Sequence, residues 1–368
     1  MIRIDTLEDA IDIRSVKRVL IVKLQHLGDV LLTTPLISVL KGQFPHLEID
    51  TLVYQETKPV LEGNIQLRQI YTIDRNWKKN GTVFQLQQEF ALIKALKQNQ
   101  YDLIINLSDR WRGGWLTRIL RPAYSVSRPY SHRRGRFWRK SFSHIFSIPP
   151  SNRHAVEINL DAIRRLGIVV NDPELKRLCF TVTAASEAKV DEILNAQSDN
   201  RKKTIVIHPA SRWMFKAWNP QNFAKVIDTL RQAGWRVILI SGPAPQEVSY
   251  VDSILEVCNT QAINFAGQLN LNESAALIKR ADCFFGLDSI AMHIAAAVKT
   301  PCVALFGPTN DKVWHPWMAA HKVLTSEHTC RPCGLKGCGN GMLSECLQSI
   351  SPELVVEAIS TLQQKPTG

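Results

Sequence analysis

Asp288 and Ser289 close the apolar run Cys283 to Leu287, and the residues behind them, Ala291, Ile294, Ala295 and Val298, return at three-to-four spacing. This is a strand handing its last residue to a helix start, where the first N–H groups have no intrahelical partner and the helix dipole is positive. A carboxylate there has two uses: it caps the helix, or it meets a hydroxyl or ammonium group while the N–H groups after it hold a phosphate. His293, one turn further on, is either an interior histidine or a hydrogen-bond donor to such a phosphate. A second stretch, His208 to Pro220, carries Arg212 and Lys216 between a strand end and a helix that Asn219 can cap and Pro220 can open. Two cations so placed suit a diphosphate clamp, although surface lysines occur on any chain. A third stretch puts Asp29 at the carboxyl end of the strand Arg18 to Lys23, where open α/β sheets hold their ligands. Gly28 allows a tight turn there, and a plain helix cap is the equal alternative for Asp29.

Cysteine usage is uneven. Cys179, Cys258, Cys283 and Cys302 sit in apolar settings and read as core thiols. Cys330, Cys333, Cys338 and Cys346 crowd into one glycine-rich loop, with two, then four, then seven residues between them. In a cytosolic protein such a cluster suggests a metal-tied loop with zinc as first candidate, against free thiols or redox pairing, and the second pair lacks tight Cys-x2-Cys spacing.

To position these residues the chain must alternate strands and helices. Strands are expected at Glu48 to Tyr54, Gln69 to Ile73, Tyr101 to Leu107 and Tyr124 to Ser127, with helices from Phe84 to Asn99, Trp115 to Arg121 and His154 to Leu166. The second half repeats the pattern with strands at Thr204 to His208, Arg236 to Ser241, Cys283 to Leu287 and Cys302 to Phe306. Helices are expected from Pro220 to Ala233, Gln246 to Val257, Glu273 to Arg280 and Ile290 to Val298. Such alternation over 368 residues implies two α/β domains with parallel sheets, placed at residues 1–180 and 181–368, facing each other across a cleft as in the GT-B arrangement. The polar stretch Ser186 to Lys203 reads as the approach to the second domain, and no G-x-G-x-x-G follows the first strand, which counts against a dinucleotide oxidoreductase.

Charge narrows the partner. The net charge is +12, and between Asp109 and Glu157 no acidic residue interrupts a run that includes Arg110, Arg112, Arg133, Arg134 and Arg136, with Trp111, Trp115, Phe137 and Trp138 interleaved. A cationic interval without compensating acid repels itself unless something anionic lies near, so it reads as a patch for a membrane surface or for phosphates rather than as a merely solvated face. No apolar run approaches the roughly 18 residues of a bilayer crossing, and the start of the chain does not read as a signal peptide, so a cytosolic protein is expected.

Taken together, Gly28-Asp29 with Leu32-Thr33-Thr34-Pro35, Ser211-Arg212 with Lys216 and Trp218, Asp288-Ser289 with His293, Phe306-Gly307-Pro308-Thr309 and the late cysteine cluster resemble the ADP-heptose:lipopolysaccharide heptosyltransferases, glycosyltransferase family 9. The matches run in order over nearly the whole chain. Leu107-Ser108-Asp109-Arg110-Trp111 and Ser211-Arg212-Trp213 are most similar to the branch that adds the third heptose of the core. The resemblance implies an inverting transfer of L-glycero-D-manno-heptose from ADP-heptose, with acceptor on the first domain and donor on the second. Asp29 would be the general base, Lys216 the neutraliser of the donor diphosphate and Asp288 the anchor of donor sugar hydroxyls. Ser211, Arg212 and His293 would line the donor, and the N–H groups around Ser289, Ile290 and Ala291 would hold phosphate oxygens. Ile290 stands where the family often has a small residue.

With no Asp-x-Asp in the chain, lysine and helix dipole replace a metal on the diphosphate, and no cofactor is expected beyond the candidate structural zinc. The implied acceptor is a phosphorylated lipopolysaccharide inner core at the inner face of the cytoplasmic membrane, where the protein would sit peripherally, with no nucleic acid involved. Competing readings are a family member that adds the first or second heptose, a GT-B sugar-nucleotide epimerase, and a basic nucleic-acid-binding protein, the last without any recognisable motif.

Overall fold

The computed structural model describes residues 8–133, 135–147, 152–199, 201, 203–339 and 343–364. The chain divides into two compact units, Met1–Cys179 and Phe180–Gly368.

The first unit holds strands β1 (Arg18–Lys23), β2 (Glu48–Tyr54), β3 (Gln69–Ile73), β4 (Leu103–Asn106), β5 (Tyr124–Ser127) and β6 (His144–Ile145), all parallel in the order β3-β2-β1-β4-β5-β6. Helices α1 (Leu27–Leu31), α2 (Thr34–Gln43), α3 (Thr82–Gln98), α4 (Trp111–Leu120), α5 (Arg136–Arg139) and α6 (Ala155–Arg164) make the connections. β1 is apolar almost throughout, because a central parallel strand is covered on both faces and alternation would bury polar side chains. One face packs Leu20, Val22, Leu52 and Ile104 against Leu92 and Leu96 of α3 and Leu116 of α4. Gly28 lies inside α1 and not at a left-handed turn, and Pro35 occupies the first turn of α2, where its missing N–H costs nothing.

The second unit repeats the scheme. Strands β7 (Lys203–His208), β8 (Trp235–Ser241), β9 (Ile263–Ala266), β10 (Cys283–Leu287), β11 (Cys302–Leu305) and β12 (His321–Leu324) form a parallel sheet in the order β12-β11-β10-β7-β8-β9. Helices α7 (Ala184–Asn195), α8 (Pro220–Gln232), α9 (Pro245–Leu255), α10 (Leu271–Arg280), α11 (Ile290–Ala297), α12 (Asp311–Trp314), α13 (Glu345–Gln348) and α14 (Pro352–Gln363) accompany it. Its core centres on Trp218, Phe223 and Phe285, whose rings meet edge-on or tilted at 5.1 to 6.3 Å. Full burial of each such ring contributes on the order of 2 kcal/mol. The polar stretch Ser186 to Lys203 lies in helix α7 as far as Asn195 and then leads into β7. Only Ser186 and Val190 of the helix are buried, and Lys279–Glu187 and Arg280–Asp191 ion pairs tie it to α10. Among the described residues no helix is long and apolar enough to cross a membrane.

Candidate active site

In each sheet the chain lays its strands outward in one direction from the first strand and then returns to the other side of it. The crevice so created lies between β1 and β4 in the first unit and between β7 and β10 in the second, and in open α/β sheets ligands bind at the carboxyl ends of such a pair.

In the second unit the loop after β7 carries Lys216 and the turn after β10 carries Asp288. The two strands are in register with Gly286 beside His208. A side chain at Gly286 would meet the Phe284 ring at 2.9 Å and the His208 carbonyl oxygen at 3.0 Å, so glycine is what lets the end of β10 lie this close to β7. The Lys216 loop is held from behind. Ser344 Oγ donates to the Phe215 carbonyl at 2.6 Å, Gln348 Nε2 to the Ala217 carbonyl at 2.9 Å, and the buried Trp218 gives its Nε1–H to the Ile350 carbonyl at 3.2 Å. Asn219 caps α8 through Gln221 N, and Pro220 opens it, as the sequence suggests.

Lys216 Nζ donates to Asp288 Oδ2 at 2.6 Å, with the two side chains 20% and 11% exposed. Asp288 is therefore engaged with a cation and does not cap α11. Ser289, the residue at the cap position, is extended and makes no side-chain cap bond, and its buried Oγ has no partner among the described residues. An uncapped helix start, an orphan hydroxyl and a lysine thus converge on one spot, the requirements of an oxyanion site. Ile290 and Ala291 open the helix there, and His293 lies buried one turn below. His208, buried at the end of β7, is pushed down to about 4 by burial and stays neutral at physiological pH. Ser211 is buried, its Oγ accepting from Trp213 N at 3.3 Å. Arg212 is exposed, its guanidinium 5.6 Å from the Trp213 ring, which Lys336 also approaches at 5.6 Å.

In the first unit Asp29 sits in the first turn of α1, half-buried, and one oxygen accepts from His26 N at 3.3 Å. Beside it is a residue that motif reading passes over. Lys23, the last residue of β1, is 7% exposed, and burial pulls its ammonium down to about 8, with Asp29 the strongest charge opposing that shift and Arg128 and Asp109 the next neighbours felt. In the sequence Lys23 looks like a strand flank, and only the adjacency of β1 and β4 brings Asp109 near it. Asp109 accepts from His132 Nε2 at 3.1 Å, and Arg133 Nε donates to the Asp109 carbonyl at 3.1 Å. Tyr130, buried in the same loop, is pushed up to about 12 by burial and feels Arg128, Asp109 and Asp29 in turn.

The basic interval is less free than its sequence suggests. Arg112 is paired with Glu89 of α3, Arg133 lies 4.4 Å above the Trp111 ring, and Arg110 lies 3.6 Å from its own neighbour Asp109. Arg136 is exposed, and Arg134 lies outside the described residues.

The candidate zinc ligands Cys330, Cys333, Cys338 and Cys346 are all free thiols, and Cys346 feels the other three electrostatically. Among the described residues no three His, Cys, Asp or Glu side chains lie together as a metal would need, although Cys330, Cys333, Cys338 and Cys346 are all described. Cys346 has gone into the core, 1% exposed, with Sγ 3.7 Å from the position a side chain at Gly307 would take, whereas Cys330 is exposed.

Comparison with known proteins places the chain in a family and a fold. Residues 89–343 match the model of glycosyltransferase family 9 (heptosyltransferase). The chain is 40% identical over 296 residues to lipopolysaccharide heptosyltransferase 3 of Escherichia coli K12, covering 79% of this chain and 82% of that one. Among solved structures it superposes on the family 9 glycosyltransferase of Veillonella parvula with a TM-score of 0.81 at 24% identity, covering 96% and 99% of the two chains. It superposes on the heptosyltransferase WaaC of Escherichia coli with ADP with a TM-score of 0.73 at 19% identity, covering 94% and 99%. These structural matches support the two Rossmann-like domains of the GT-B class.

Proposed function

The chain belongs to glycosyltransferase family 9, the heptosyltransferases, and we propose that it moves L-glycero-D-manno-heptose from ADP-heptose to the inner core of lipopolysaccharide, adding the third heptose to the second. The observation that carries this reading is the Lys216–Asp288 pair at the uncapped start of α11 with the orphan Ser289 hydroxyl beside it. A diphosphate brings two anionic groups and takes Lys216 as counter-ion, while the N–H groups of Ser289, Ile290 and Ala291 meet its oxygens. Asp288 offers its other carboxylate oxygen to a sugar hydroxyl. As the bond from the anomeric carbon to the ADP oxygen breaks, charge grows on the departing phosphate where these groups already point, which is how preorganised donors lower a barrier.

Asp29 is the base in this reading. It takes the proton of the acceptor hydroxyl as that oxygen bonds to the anomeric carbon from the face opposite ADP, so configuration inverts in one displacement. The second domain is the donor domain and the first the acceptor domain. Lys23 and Asp109 flank Asp29 as polar contacts for acceptor sugars, and Arg110 and Arg136 offer charge to core phosphates. The lipid acceptor places the protein in the cytoplasm, peripheral on the inner face of the cytoplasmic membrane. Family membership leaves no support for the epimerase and nucleic-acid readings.

Because Asp29 acts on the acceptor, Asp29→Asn is expected to abolish transfer while ADP binding, measured by titration calorimetry, stays within about two-fold of wild type. Loss of ADP affinity in that variant would remove Asp29 from this role.

A further inference from the structure

Helix α3 leaves an apolar stripe uncovered. Its inner side is spent on the core through Leu92 and Leu96, yet Val83, Leu86 and Phe90, spaced so that they share the outer side, are 68%, 56% and 68% exposed. Soluble surfaces tolerate scattered apolar residues, but three large ones on one helical face, followed on the same side by exposed Lys94 and Lys97, form a pattern. The pattern continues on α4. Glu89, the one acid in α3, is tied to Arg112, so the flank of the stripe is stitched to α4, where Trp111 and Trp115 are 43% and 56% exposed. Both rings pack on Phe137, at 5.4 and 4.6 Å, and Arg118 and Arg133 lie 4.6 and 4.4 Å above the Phe137 and Trp111 rings. Exposed tryptophans with arginines over Trp111 and the Phe137 ring they pack on, next to an apolar stripe followed by lysines, match the interface of an anionic bilayer, where indoles settle among headgroups and cations meet lipid phosphates.

We propose that the outer side of α3, with Trp111 and Trp115 of α4, is the surface by which this protein docks on an anionic lipid bilayer, Val83, Leu86 and Phe90 entering the headgroup boundary while the surrounding cations contact acidic lipid. The positive charge beside the stripe, Lys94 and Lys97 on α3 and Arg118 and Arg133 at the α4 aromatics, selects this occupant. A second copy of the same face would bring like charges together, and a protein partner would have to be acidic all round its apolar contact. The inference deepens the reading above, whose acceptor is a membrane lipid, but its vesicle-binding readout needs neither donor nor acceptor.

The test is flotation of the full chain with vesicles of phosphatidylcholine, with and without phosphatidylglycerol, for wild type and for the double variant L86S and F90S. Transfer to a soluble, deacylated core acceptor is assayed in parallel. The expected result is binding to the anionic vesicles, a loss of about ten-fold or more in partitioning for the variant, and unchanged transfer to the soluble acceptor. Equal partitioning of variant and wild type would overturn the proposal. So would an absence of vesicle binding by wild type, including the case in which sedimentation shows a dimer that the substitutions dissolve. Failure of the heptosyltransferase reading would show separately, as no transfer to the soluble acceptor by wild type.

Discussion

Lys216 and Asp288 hold each other at 2.6 Å in a partly buried setting, so removing either leaves a desolvated charge as well as an incomplete site. Lys216→Ala is expected to lower kcat/KM for ADP-heptose by roughly 10²-fold, most of it in kcat, because the ammonium matters most when charge develops on ADP. A change confined to KM would mean that Lys216 binds donor and transition state alike. Lys23 yields a prediction of a different kind. Its ammonium falls from an ordinary value of 10.5 to about 8 because it is buried. Below pH 8 it is protonated both folded and unfolded, so burial of the charge costs about 3 kcal/mol in full. Between pH 8 and 10.5 the folded protein has shed a proton that the unfolded chain still binds, so that cost shrinks as pH rises. Lys23→Met should therefore raise the unfolding temperature at pH 7 while impairing transfer, and the gap to wild type should narrow at pH 10. Thermal scans of both proteins check this, and a gap independent of pH would contradict it. Asp29, Lys216 and Asp288 were legible in the sequence because each follows an apolar run at a strand end. Their surroundings were not: the Lys216–Asp288 pair, and the meeting of Lys23 with Asp109, depend on which strands become neighbours, and strand order is not written locally.

At the scale of elements, the donor site depends on β10 lying hard against β7. Gly286→Ala would force a methyl group to within 3.0 Å of the His208 carbonyl and the Phe284 ring, so the strand must shift. The expected cost is about 1–3 kcal/mol in urea unfolding, with weaker ADP-heptose binding because Asp288 stands two residues on. An alanine variant with wild-type stability and affinity would show that the register has slack. The central strands were readable to within a residue or two, since β1, β7 and β10 carry continuous apolar cores between turn signals and β2 carries Leu52-Val53-Tyr54 after Ile49. β6, β9 and β12 escaped notice for one reason: each is a short strand at a sheet edge, half covered, with no run of apolar residues to announce it. Helix α7 was taken for a polar approach because only Ser186 and Val190 of it are buried, too few for an apolar stripe to announce it, while a Thr183 cap and surface ion pairs to α10 accompany it.

For the whole molecule, the alternation of strand and helix is the signal that decides the fold, because only crossover helices let parallel strands follow one another in a chain. The two six-stranded sheets follow from it, each with a crevice between its first strand and the strand to which the chain returns. In the cysteine loop the spacing of the thiols does not show that Cys346 is buried beside Gly307 while Cys330 is exposed. In the proposed reaction the chemistry is divided between the domains, Asp29 in one and the Lys216–Asp288 pair in the other, and no three metal-ligating side chains lie together among the described residues. The most direct measurement is transfer from ADP-heptose to purified lipopolysaccharide cores truncated at successive heptoses, with and without EDTA. The account predicts product on the acceptor carrying two heptoses, undiminished by EDTA. Product only on a shorter acceptor, or product abolished by the chelator, would contradict it.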